Sequence, residues 1–121
     1  MSFERQQTQK RRRQLQQRIR ALSTEPLMRG SVVDRVRKCG RPNCACASDP
    51  SAMHAGKFLT VTLNRKTEAV AVRAQDEARI EKATAAYGKL WDAINELTEC
   101  ELADLRREVR ERRRGRSRRQ A

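Results

Sequence analysis

A chain of 121 residues, 37% apolar and 36% charged, has material for only a small core. Such a core usually needs a metal, a disulfide or a partner chain to hold it. The formal net charge of +13 is not spread evenly. Residues 1–20 carry seven Lys/Arg against one acid, residues 106–121 carry nine Arg against two acids, and residues 21–105 balance. A neutral body with two basic arms points to nucleic acid or an acidic partner rather than to a small-molecule substrate. The alternative is that arginine-rich ends only confer solubility. No apolar run reaches membrane-span length, and Met1 to Arg20 lacks the apolar region of an export signal. The expected compartment is therefore the cytoplasm, where clustered cysteines serve as ligands more often than as disulfides.

In chain order, residues 1–26 form a basic arm. Leu15, Ile19 and Leu22 recur at helical spacing, with solvated turns before them and Pro26 after. Residues 27–74 change character. Val32, Val33 and Val36 predict a strand over 31–38. Phe58 to Leu63 and Glu68 to Val72 alternate around an Asn64-Arg65-Lys66 turn, the pattern of a β-hairpin. Together these predict a three-stranded antiparallel sheet. Asp76 is placed to cap a long helix over 75–111. Its Ile80, Ala83, Tyr87, Leu90, Ile94 and Leu97 repeat as a coiled-coil heptad seam, with Trp91 beside it. A homodimer through this helix is expected, with an antiparallel hairpin inside one chain as the alternative. Residues 112–121 are expected to be a disordered arginine-rich tail. The fold class is α+β.

Between the first two strands lie Cys39, Cys44 and Cys46, and then His54, the sole histidine. Three thiolates and one imidazole complete a tetrahedral set for a structural Zn²⁺ knuckle. Gly40 and Pro42-Asn43 supply the tight turn between the first two ligands. Buried free thiols are the alternative, but a polar Gly/Pro loop is a poor place for them. Cys100 is left as a packing or surface thiol. Four protein ligands leave zinc no open position, and no metalloprotease, phosphate-loop, serine-hydrolase or deaminase pattern occurs, so no enzyme is expected.

The candidate phosphate contacts are Lys10, Arg11, Arg12 and Arg13 in the first arm and Arg110, Arg112, Arg113, Arg114, Arg116, Arg118 and Arg119 in the last. Arg35, Arg37, Lys38 and Arg41 flank the knuckle and could add to them, or be an ordinary solvated face. The function expected is non-specific binding of DNA or RNA by a zinc-stabilised accessory protein. The alternative is a protein-interaction adaptor that uses the helix seam.

The segments Arg29-Gly30-Ser31, Cys39-Gly40-Arg41-Pro42-Asn43-Cys44-Ala45-Cys46, His54 and Tyr87 to Leu90 resemble an uncharacterised family of short bacterial proteins. That family carries Cys-Gly-Lys/Arg-Pro-Asn-Cys-x-Cys before a histidine that opens a strand. The family's histidine is usually followed by Gly-Pro-Tyr, where this chain has Ala55-Gly56-Lys57. The resemblance spans roughly 29–100. It implies the same architecture, a setting near transposase-type genes, and no established activity.

Overall fold

The computed structural model describes residues 3–120, so Met1, Ser2 and Ala121 of the two arms lie outside it. The order of elements is α1 (Phe3–Ser23), β1 (Ser31–Arg37), β2 (His54–Leu63), β3 (Lys66–Val72) and α2 (Ala74–Gln120). Two short 3₁₀ turns, Ala45–Ala47 and Pro50–Ala52, fill the loop between β1 and β2. The expected α+β architecture is the one observed. The chain divides into two compact units, Leu27–Ala86 and Met1–Pro26 with Tyr87–Ala121, and α2 contributes to both.

In the first unit the strands run β1-β2-β3, all antiparallel. β2 is the central strand and carries the buried Phe58 and Leu59, one on each face. Gly30 lets the start of β1 lie close to β2. A Cβ there would stand 2.9 Å from the Thr60 carbonyl oxygen and 3.1 Å from Leu59 Cδ1. Beside it, Arg29 donates to the Thr62 carbonyl at 2.6 Å. The start of α2 joins this unit through Lys57, which pairs with Glu77 and lies 3.5 Å from Glu81. The backbone N–H of Met28 reaches the Ala83 carbonyl at 3.2 Å.

Several boundaries differ from expectation, among them the end of β1 at Arg37 rather than 38 and the start of β3 at Lys66 rather than Glu68. β2 begins at His54 rather than Phe58, because Arg37 and His54 already pair across the β1-β2 ladder. The hairpin turn is two residues, not three: Asn64 and Arg65 both have positive φ (53° and 67°), and Lys66 pairs with Leu63. Two positive φ values give a turn whose twist matches its strands. α2 starts at Ala74, with Asp76 inside its first turn rather than capping it. The segment expected to be disordered continues α2 to Gln120. Arginine is a good helix former, Gly115 is the only weak position, and cations suit the negative end of the helix dipole.

In the second unit Leu15 is the buried anchor of α1, at 1% exposure. Ion pairs tie α1 to α2: Arg11 to Glu96, and Arg12 to Asp104 and to Glu101 at 2.6 Å. Asp104 also holds Arg107 at 2.8 Å, and Arg107 is itself buried. The covered face of α2 therefore includes Ala93, Asp104 and Arg107. It cuts across the heptad seam, leaving Leu90 and Leu97 half-buried and Ile94 exposed.

Candidate metal centre

The knuckle is assembled from the ends of β1 and β2. β1 stops at Arg37, and two residues later the chain supplies Cys39. Gly40 follows with φ of 85°, a conformation that costs other residues about 1–2 kcal/mol. The turn closes where the Cys44 N–H bonds the Arg41 carbonyl at 3.2 Å. The first 3₁₀ turn begins at once, with the Ala47 N–H on the Cys44 carbonyl at 3.0 Å, and it carries Cys46 inward. Asp49 caps the second turn, accepting from the Ser51 N–H at 3.0 Å and its hydroxyl at 2.7 Å. Those bonds hold the Asp49 carboxyl below its ordinary pKa. The chain then enters β2 at His54, opposite Arg37.

This path brings the four predicted ligands together. Cys39 Sγ and Cys46 Sγ are 3.5 Å apart, and Cys44 Sγ is 3.2 Å from His54 Nε2. All four donor atoms lie within 4.8 Å of one another. A tetrahedral zinc with Zn–S near 2.3 Å and Zn–N near 2.0 Å needs sulfurs roughly 3.8 Å apart and sulfur to nitrogen roughly 3.5 Å. The two close contacts are within about 0.3 Å of these spacings, and no separation in the set exceeds 4.8 Å. Cys46 is fully buried, Cys44 half-buried, and Cys39 and His54 are exposed. None of the cysteines is in a disulfide.

Their surroundings shift two of the thiols in opposite directions. The Cys46 N–H and the neighbouring Cys46 and Cys39 thiols draw the Cys44 thiol below its ordinary pKa. At Cys46 the Cys39 N–H, 3.4 Å from the sulfur, pulls the same way. There it is outweighed by burial and by the Cys44 and Cys39 sulfurs, which push that thiol up. The donor set of soft sulfurs and one imidazole can hold a metal ion.

A family model described as a domain of unknown function (DUF6788) matches residues 5–82. The chain belongs to that family. The DUF6788 match includes α1 from residue 5 onward, the whole sheet, all four cluster residues and the first turns of α2. It ends before Tyr87, short of the helical segment that the sequence resemblance included. No curated protein and no solved structure matches the chain.

The predicted phosphate contacts separate into two groups. Arg11 and Arg12 are held by acids of α2, and these bonds raise the Arg12 pKa through Asp104 first and Glu101 second. Arg37 lies over the Phe58 ring, 4.7 Å from its centroid. Lys10, Arg13, Arg35, Lys38 and Arg41 are exposed, as are Arg110, Arg112, Arg113, Arg114, Arg116, Arg118 and Arg119. Sequence reading missed Glu96, Glu101, Asp104 and Arg107 as partners of one another and of α1. Their signal was an acid at positions 96, 101 and 104 facing a basic α1, hidden by attention to apolar spacing alone. No helix among the described residues is long and apolar enough to cross a membrane.

Proposed function

We propose that this protein is a zinc-stabilised accessory factor that binds nucleic acid without sequence preference, in the cytoplasm and without catalytic activity of its own. The observation that carries the reading is the last turns of α2. Residues 106–119 hold eight exposed arginines against two acids. Several stand four residues apart (Arg110 and Arg114, Arg112 and Arg116, Arg114 and Arg118), a spacing at which like charges repel on a helix. Phosphates would relieve that repulsion and release counterions. Stacking is not the mode, since Phe58 is buried and aromatics are scarce. Zinc in a four-ligand site would fix the knuckle and leave no position for a substrate. An adaptor for another protein is favoured instead by the exposed Trp91, Ile94, Leu102 and Leu105.

The test is binding of the full chain to a random-sequence duplex and to a single strand over a salt series. If all eight arginines meet phosphates, log affinity falls against log salt with a slope of about −7 on a duplex. Arg112→Gln, Arg113→Gln and Arg114→Gln together reduce that slope by about 3. No binding at low salt would refute the reading and leave the adaptor.

A further inference from the structure

The side of α2 that carries Ala93, Asp104 and Arg107 is covered. The opposite side is not. Along it stand Tyr87, Trp91, Ile94, Thr98, Leu102, Leu105 and Val109, with Trp91 52%, Ile94 38%, Leu102 41% and Leu105 51% exposed. Their spacings of four, three, four, four, three and four read the same in both directions, with Thr98 at the centre. A stripe with that property is complementary to itself when turned end for end. A two-fold axis at Thr98 sets Trp91 against Leu105, Ile94 against Leu102, and Tyr87 against Val109, each contact made twice.

Charge selects the direction. Asp92, Glu99, Arg106 and Arg113 follow at seven-residue spacing along one flank of the stripe, all exposed. In a parallel pair this flank of each copy lies on the opposite side of the seam from its counterpart, so Asp92 and Arg106 would never meet. Turned end for end, Asp92 of each copy lies near Arg106 of the other, and only the two Glu99 side chains meet a like charge near the axis. The arginine-rich ends argue the same way: residues 106–119 carry nine arginines and two acids, which a parallel pair would set side by side and an antiparallel pair places at opposite ends.

We infer that the occupant of this face is a second copy of the chain, bound antiparallel across α2 with Thr98 at the two-fold. The inference stands apart from nucleic-acid binding, although it would place the two Arg114 positions on the order of 50 Å apart, at opposite ends of the pair.

Sedimentation equilibrium of the full chain tests it. The expected mass is twice the 14.0 kDa of one chain. Ile94→Glu with Leu102→Glu should weaken association by roughly a hundredfold or more while far-UV helicity is retained. Orientation is read by disulfide trapping in a Cys100→Ser, zinc-loaded background. Trp91→Cys and Leu105→Cys proteins should cross-link with each other when mixed, and neither with itself. A monomer at about 100 μM, well above the dissociation constant expected of a stable pair, overturns the inference. So does a dimer unaffected by the two glutamates, or self-cross-linking of the Trp91→Cys protein, which marks a parallel pair.

Discussion

Removing the metal should unfold one unit and spare the other. Cys46 Sγ is fully buried, 3.5 Å from Cys39 Sγ, and the only covalent route from β1 to β2 runs through the knuckle. Structural zinc contributes apparent folding free energies of about 10–16 kcal/mol in small finger peptides. The sheet unit has only Phe58, Leu59, Ala83 and Cys46 as buried apolar residues, so its own stability lies at the low end of about 5–15 kcal/mol. Losing even half of a zinc contribution exceeds that margin. Trp91 and Tyr87 both belong to the helical unit and would report little of this change. Amide hydrogen exchange resolves it. After chelation, or in Cys46→Ser, protection across 57–72 should collapse toward unfolded-chain rates, while 90–105 of α2 stays protected. Metal analysis of the untreated protein should give one zinc per chain. Unchanged protection of β2 in protein proved free of metal would refute the argument, and so would a purified chain that carries no metal and refuses it.

Two further substitutions probe the scaffold. Gly30→Ala puts a methyl 2.9 Å from the Thr60 oxygen and 3.0 Å from Val61 Cγ2, and backbone cannot yield as a side-chain tip can. It should cost about 1–3 kcal/mol in urea melts, whereas Gly88→Ala, which meets nothing within 4 Å, should gain up to about 1 kcal/mol. Burial pushes the Asp104 pKa up, but the bonds from Arg12 and Arg107 outweigh it, and the net direction is down. A depressed carboxylate stabilises above its unfolded pKa of about 3.9 and loses that contribution as pH falls through its folded value. Asp104→Asn should therefore destabilise by about 1–2 kcal/mol between pH 5 and 7, between the exposed and buried limits for ion pairs. The difference from the parent should shrink below about pH 4, and a difference independent of pH would show that charge is not its cause.

What the sequence made legible follows what each signal depends on. The candidate cluster was readable because sulfur and imidazole have few other uses in a polar loop, and the loop with its 3₁₀ turns brings all four donor atoms within 4.8 Å. Period-two alternation found the sheet, but only cross-strand pairing to Arg37 shows that β2 begins at His54. Arg29 and Gly30, quoted as part of a motif, turn out to serve the sheet: one bonds the Thr62 carbonyl and the other makes room beside Thr60. The covered face of the long helix was not legible, because it is held by Asp104, Arg107 and Glu96 as much as by apolar side chains. A heptad read from apolar residues alone therefore ran between two faces, one covered and one open.

That division also changes how the net charge should be read. The two arms look equivalent in composition, yet they meet different surroundings. Acids excluded from the apolar count of α2 neutralise Arg11 and Arg12, so these side chains are committed to joining α1 to α2. An arginine already paired must break that bond before it can meet a phosphate, and the exchange gains little. The arginines past Arg107 have only Glu108 and Glu111 among them. Whatever electrostatic affinity the chain has for a polyanion should therefore reside mainly at the C-terminal end of α2. The decisive comparison sets Arg112→Gln, Arg113→Gln and Arg114→Gln against Arg11→Gln with Arg12→Gln. The first should flatten the salt dependence with little loss of stability. The second should lower the melting temperature and leave the salt slope nearly unchanged. The reverse pattern would assign binding to α1 and make its pairing with α2 a competitor of the nucleic acid.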